Sequence, residues 1–444
     1  MRPLAYASLW LLLATGGPLA ATPAQSAALA AEIVVAFANE PAASPGPAGT
    51  TGSRYGGSGY RVGQSAERQA RNVAAAYALR EVHSWPIQVL SMHCVVFEIA
   101  NGRKVDEVVA ALSRDSRVLL AQPLHEFRTL GAAATTSTGA ARAEAPPTEM
   151  AVAPAAASYN DPLFDLQTNM AALGIARAHA RTQGAGVRIA LIDTGVDLAH
   201  PDLRGASIHS RSFLDSPGRP AALRHGTAMA GVIAAVANNH IGIVGIAPRA
   251  ELEVYEACWQ LAPAADAAAC NTFTLARALA AALASQAQLV NLSFAGPADP
   301  LLTALVQTGL KRGVTFVGAA AGPDAPFPTA IPGVITAAGS EQAAPADALA
   351  APSQHVMSLR PQGEYDFESG SSVAAAEVTS VMALLLSASP RRLSTSTLLS
   401  LLTVTRPVQA LAQAPVAPVD VNTALSRLEA LTGGASITAR AAPR

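Results

Sequence analysis

The chain has 444 residues, of which 50% are hydrophobic and 14% charged, with a formal net charge of -1 at pH 7. That length allows two or three domains, and the apolar share supplies a sizeable core. The near-zero charge gives no electrostatic case for nucleic acid or an anionic membrane as partner.

Residues 1 to about 21 read as a signal peptide: Arg2 precedes an apolar stretch from Leu4 to Leu13, and small residues follow around Ala20 and Ala21. The stretch is too short to span a bilayer by itself, and the alternative is an uncleaved anchor. No later run has the length and purity of a membrane helix, so no integral membrane domain is expected. Export implies a secreted or periplasmic protein. In such a compartment Cys258 and Cys270 are close enough in sequence to close a short disulfide loop. Cys94 falls in an alternating strand pattern and is expected as a buried thiol.

Glu32 to Phe37 is a short β-branched strand, and Pro41 to Gly63 is a loop rich in Pro, Gly and Ser. Gln64 to Tyr77 has helical composition. Leu79 to Ile87 and His93 to Ile99 follow as strands, the second alternating through Cys94, Val96 and Glu98. A helix over Val105 to Leu112 places Val105, Val108, Val109 and Leu112 on one face. Val118 to Phe127 is a last strand. The order βαββαβ predicts a small α+β, ferredoxin-like domain over residues 32–129. Residues 130–157 are mostly Ala, Thr and Pro and read as a linker that cannot bury enough surface to order itself. From there to residue 432 strands alternate with helices, the pattern of a doubly wound α/β domain with a mostly parallel sheet. Residues 433–444 look frayed.

Three motifs carry chemistry. The apolar run from Val187 reads as a buried parallel strand and ends at Asp193-Thr194-Gly195. A carboxylate there lies where open parallel sheets place their ligand crevice, and its burial needs a partner. His225-Gly226-Thr227 and Gly370-Ser371-Ser372-Val373-Ala374-Ala375 each open an apolar helical run. Alone, the first could be a strand-end turn and the others helix caps. Together they give the order Asp, His, Ser.

In that order and context the three motifs resemble those of the subtilisin-like serine peptidases. The resemblance implies a subtilisin-type fold and an endopeptidase in which Ser372 is the nucleophile and His225 the general base. Asp193 would orient the imidazolium. Ser372 is chosen over Ser371 by its place two residues after Gly370. Ser293, Phe294, Ala295 and Gly296 resemble the strand that pairs with a polypeptide substrate. The domain over 32–129 resembles the family's propeptide, an own-chain partner and inhibitor, with Ala121-Gln122-Pro123-Leu124 approaching the cleft. Maturation cleavage would then fall in the linker. No cofactor is required for this catalysis. A structural calcium ion is implied, with Asp202 and Asn239 at side-chain ligand positions.

Two departures from the family's pattern stand out. Ala375-Ala376-Glu377 replaces Ala-Pro-His. Pro323 stands where the family has the asparagine that donates to the oxyanion, and proline has no donor to offer. Two readings stay open on this ground: an active serine endopeptidase made as a precursor, or a pseudoenzyme or very slow peptidase that binds peptides. A Ser/Lys hydrolase is disfavoured because the only lysines, Lys104 and Lys311, are far in sequence from Ser372. A zinc peptidase has no HExxH motif to rest on.

Overall fold

Two layers of sheet share an apolar wall. The structure is a computed structural model and describes residues 31–39, 62–100, 102–131, 157–214, 223–261, 267–341, 345, 347–403 and 418–433. The expected signal peptide, and most of the expected 41–63 loop, 130–157 linker and 433–444 tail, fall outside the described residues.

The N-terminal sheet holds β1 (Glu32–Ala38), β2 (Leu79–Ile87), β3 (Met92–Ile99) and β4 (Leu120–Pro123). Their order is β2-β3-β1-β4, with each neighbouring pair antiparallel. This is the split arrangement expected of a βαββαβ chain. Helices Gln64–Tyr77 and Val105–Leu112 cover one face, burying Val73, Val108 and Leu112 against Val35, Val95 and Phe97. Asp106 and Glu107 sit in the first turn of the second helix, where the helix dipole favours negative charge. The expected alternation of β3 is replaced by nearly continuous burial. The opposite sheet face is covered too: Val34, Trp85, Cys94 and Val96 share an apolar core with Phe273, Leu279 and Leu302. Cys94 is a free, buried thiol, as expected.

The single strand expected over Val118 to Phe127 is corrected to two. β4 ends at Pro123, which has no amide proton to continue a ladder. The next polar groups bond elsewhere: the His125 amide donates to Thr272 Oγ1 (3.1 Å), and its ring contacts Asp299 Oδ2 (3.0 Å). The following strand, β5 (Glu126–Thr129), therefore leaves the N-terminal sheet. Gln122 stays behind in β4, bonded to Asp299 Oδ2 (2.7 Å), so 121–124 is not the segment that enters the cleft.

The remaining chain builds an α/β unit. It contains β6 (Arg188–Asp193), β7 (Ile208–Ser212), β8 (Glu251–Glu256), β9 (Cys258–Gln260), β10 (Ala268–Asn271), β11 (Leu289–Leu292), β12 (Phe294–Ala295), β13 (Thr315–Ala319), β14 (Ile335–Gly339) and β15 (Leu349–Ala351). Seven of these form one sheet in the order β15-β14-β13-β11-β6-β8-β7, parallel throughout. The expected doubly wound, mostly parallel sheet is observed. Alternate side chains of β6 feed two cores: Ile189 and Leu191 face helices Arg224–Ala234 and Ser371–Ala388, while Ala190 and Ile192 face Thr272–Ala284 and Pro300–Lys311. The N-terminal sheet packs on that second pair of helices. Strand order reverses between β6 and β11, which makes the carboxyl ends of these two strands the switch-point crevice. Ser371–Ala388 is long and apolar enough to cross a membrane by composition, and 83% of it is buried in the protein core.

Candidate active site

Asp193 is the last residue of β6 and is fully buried. Its Oδ1 accepts from the Thr194 amide (2.7 Å) and lies 2.7 Å from His225 Nδ1. The contact sets Nδ1 against the carboxylate and leaves Nε2 on the far side of the ring. The approach depends on Gly226. A Cβ there would lie 2.4 Å from the Thr194 carbonyl oxygen, and the Gly226 amide donates to Thr194 Oγ1 (2.8 Å). Asp-Thr-Gly and His-Gly-Thr thus meet through their small and polar members as well as through Asp193 and His225.

Ser372 lies in the first turn of helix Ser371–Ala388 and is 1% exposed. Gly370 precedes the helix at φ 125, a conformation that favours glycine, and a Cβ there would meet the Leu130 oxygen at 2.4 Å. The two serines separate cleanly. Ser371 Oγ donates to the Ala320 carbonyl (2.8 Å), on the sheet side. Ser372 Oγ donates to the Ser293 carbonyl (2.9 Å) and accepts from the Leu130 amide (3.1 Å). The Ser372 amide in turn donates to the Leu130 carbonyl oxygen at 3.3 Å. Behind them runs a buried chain: Thr379 Oγ1 donates to Asn291 Oδ1, Asn291 Nδ2 to Ser293 Oγ, and Ser293 Oγ to the Ser372 carbonyl.

The cleft is a slot in a sheet. β5 lies between β12 and β10, in the order β12-β5-β10-β9. Thr129 pairs with Phe294 and Arg128 with Ala295 on one side; Arg128, Phe127 and Glu126 pair with Ala269, Cys270 and Asn271 on the other. Ser293 to Gly296, the expected cleft residues, lie along β12 beside β5 and Leu130. Leu130 extends the strand, its amide 3.3 Å from the Ser293 carbonyl. Phe127 is fully buried between Phe294 and Phe327, with ring centroids at 6.3 and 5.4 Å. Gly296 makes room for it, since a Cβ there would sit 2.3 Å from the ring. Phe127, Phe327 and β10 were not singled out in the sequence, because tertiary packing brings them to Ser293–Gly296 and no local pattern announces it.

Pro323 is exposed in the loop after β13. Among the described residues, the Ser372 amide is the donor to the Leu130 carbonyl. Asp202 and Asn239 do come together, but as hydrogen-bond partners. Asn239 Nδ2 donates to Asp202 Oδ1 and the Ile243 amide to Oδ2, both at 2.8 Å. Asn239 Oδ1 is turned away, accepting from the Ile241 amide (3.0 Å). Among the described residues no group of three or more His, Cys, Asp or Glu is placed to hold a metal. As oriented, this donor set does not fit a calcium ion.

Residues 184–424 match the model of the subtilase family. The chain belongs to the subtilase family. With it, the chain belongs to the serine-type endopeptidases. It is 31% identical over 244 residues to thermitase of Thermoactinomyces vulgaris, an alignment covering 51% of this chain and 85% of thermitase. Subtilisin E of Bacillus subtilis is 30% identical over 229 residues, covering 47% and 57% respectively. The crystal structure of fervidolysin from Fervidobacterium pennivorans, described as a keratinolytic enzyme related to subtilisin, aligns with a TM-score of 0.66 at 19% identity. That alignment covers 89% of this chain and 61% of fervidolysin, and at this identity it speaks for the fold alone.

One feature of this subtilase lies just beyond Ser372. Glu377, in place of the family's usual histidine, is fully buried, and its Oε1 accepts from Asn169 Nδ2 (2.8 Å). Among the described residues, its Oε2 and Asn169 Oδ1 are both buried without a partner. A proton on Oε2 supplies the missing donor and lets acid and amide close a two-bond ring. Burial, the largest influence, pushes the Glu377 carboxyl well above its ordinary range. A group whose folded pKa is raised binds its proton more tightly in the native state, so its contribution to stability is full below the ordinary glutamate pKa and falls as pH rises above it. Glu377→Gln keeps both hydrogen bonds and removes the titration. Its melting temperature should exceed that of wild type by more at about pH 8 than at about pH 5. A gap that stays constant or narrows as pH rises contradicts a neutral, buried Glu377.

Proposed function

We propose that this subtilase is an exported endopeptidase precursor whose N-terminal unit plugs its own cleft until Ser372 cuts the Leu130–Gly131 bond. The observation that carries this reading is the pair of contacts between Leu130 and Ser372: hydroxyl to amide, and amide to carbonyl. Gly131 supports it, since its Cα lies 3.2 Å from where a Cβ of Gly370 would be, so the peptide bond after Leu130 runs beside the nucleophile. Export rests on the signal-like N-terminus and agrees with the Cys258–Cys270 disulfide.

The proposed chemistry is that of a Ser-His-Asp triad, supported by the Asp193–His225 contact and by the place of Ser372 beside Leu130. His225 Nε2 takes the hydroxyl proton as Ser372 Oγ attacks the carbonyl carbon, and Asp193 stabilises the imidazolium. The Ser372 amide bonds the oxygen that gains the negative charge. Collapse breaks the C–N bond, the imidazolium protonates the leaving amine, and an acyl-enzyme remains. Water then repeats the sequence with His225 as base and releases the acid. For a substrate in trans, the β5 path implies an extended polypeptide carrying a leucine-sized residue before the cut and an aromatic residue three places earlier, as Phe127 stands to Leu130.

A slow or inactive enzyme is the second reading, and Pro323 is the observation that favours it. Loss of one oxyanion donor costs on the order of 10²–10³ in kcat, a figure the general rule takes from a subtilisin. A single self-cleavage survives such a loss.

Wild-type protein should therefore yield a mature form beginning at Gly131, whereas Ser372→Ala remains joined to residues 32–130. N-terminal sequencing after expression in a protease-free host checks this, and identical processing of both proteins counts against self-cleavage. Pro323→Asn should raise kcat by roughly tenfold or more with little change in KM on peptides. No rise from an already fast wild type would mean another donor serves the oxyanion, and no turnover in either would favour the pseudoenzyme. Calcium at Asp202 and Asn239 requires the Asn239 amide to turn its oxygen inward. If it does, added calcium raises the melting temperature and Asp202→Ala loses the response; an unresponsive wild type removes calcium from the account.

A further inference from the structure

The disulfide joins β9 and β10, two neighbouring strands on one side of the cleft sheet. Cys258 of β9 and Cys270 of β10 are direct register partners and are bonded to each other. Cys270 is also the register partner of Phe127, on the other side of β10. One residue thus faces the plug strand along one edge and is covalently tied along the other. The Thr272 amide donates to the His125 carbonyl, so by the alternation of an antiparallel ladder the Cys270–Phe127 pair, two residues on, exchanges main-chain hydrogen bonds. β10 is four residues long and β9 three, and β9 closes the outer side of the sheet. So short a ribbon has few ladder bonds to hold its own position. The opposite wall of the slot, β12, follows β11 of the central sheet after one residue and has no such need.

We propose that the Cys258–Cys270 disulfide is a specificity device: it fixes β10 as the outer rail of the cleft, and so favours extended polypeptides over short ones. This rests on the reading of β5 as the path of a substrate. Residues near the cut are held mainly by Ser293, Phe294 and Ser372, which the disulfide does not touch, and only Thr129 of them also reaches β10, its Oγ1 accepting from the Ala268 amide (2.9 Å). Residues at the positions of Phe127 and Glu126 pair with β10 alone among the two walls. Loosening β10 therefore weakens the hold on the far part of a long peptide and leaves the reacting end where it was.

The test has a binding arm and a kinetic arm. In the binding arm, full-length Ser372→Ala is compared with the same chain carrying Cys258→Ser and Cys270→Ser, by amide hydrogen exchange. Exchange at Phe127 should quicken by about tenfold or more without the disulfide, while Ile189 and Ile192 of the central sheet keep their protection. Should the serine pair fail to fold, Cys258→Val with Cys270→Ala keeps the site apolar and gives the same comparison. Unchanged protection at Phe127, or an equal loss in the central sheet, overturns the proposal. In the kinetic arm, processed enzyme with and without the disulfide is given Thr-Leu anilide and Glu-Phe-Arg-Thr-Leu anilide. Losing the disulfide should raise KM for the longer substrate roughly tenfold, with kcat little changed and the shorter substrate affected far less. Equal effects on both substrates contradict it. If neither protein hydrolyses anything, the peptidase reading fails, and the exchange comparison still decides whether the disulfide holds the rail.

Discussion

Main-chain hydrogen bonding across an open slot is the constraint on which the rest depends. β10 and β12 turn their edges toward a gap one strand wide, and an unpaired strand edge invites another chain. β5 fills the gap with register on both sides, which fixes where the next residue, Leu130, must lie. The parallel sheet places the candidate catalytic residues. Asp193 ends β6, Ser293 follows β11, and these strands are neighbours at the topological switch point. Helix Ser371–Ala388 then brings Ser372 against Ser293 from the other core.

Placing these groups requires burying polar atoms, and the fold pairs them. Asp299 illustrates it at the junction of the two units. The residue is 1% exposed and caps helix Pro300–Lys311 by accepting from the Leu302 amide (2.9 Å). Its other oxygen receives Gln122, His125 and Thr272, so side chains of both units converge on one buried carboxylate. An unpaired buried carboxylate would be costly, and this sharing ties the position of β5 to the packing of the N-terminal sheet. His179 is treated differently: burial lowers its pKa to about 4, and the neutral ring lies between Tyr159 and the Ile246 carbonyl.

Much of this was legible in the sequence because it depends on local signals. The buried strand ending at Asp193, the two glycine-containing helix starts and the βαββαβ order all come through as residue types at fixed spacing. Cys258 and Cys270 were paired on proximity alone, and the structure joins them. What escaped depends on partners distant in the chain. The break at Leu124 and His125 has one local signal, Pro123, but the path of the chain beyond it is set by Thr272 and Asp299, far downstream, which capture His125. The continuous burial of β3 depends on helices Thr272–Ala284 and Pro300–Lys311 lying against its second face. Glu377 read as a tolerable departure, since its burial and its Asn169 partner are set by the path of a segment some 200 residues away. Asp202 and Asn239 were brought together as expected, yet the rotation of one amide decides whether they form a cation site or a hydrogen bond.

A crystal structure of full-length Ser372→Ala tests the central claim most directly, because the uncut chain must show what occupies the slot. The account predicts residues 126–130 as a strand between 268–271 and 294–295, with the Leu130 carbonyl oxygen within hydrogen-bonding distance of the amide of residue 372. A slot that is empty, or filled with a different residue facing position 372, would contradict it.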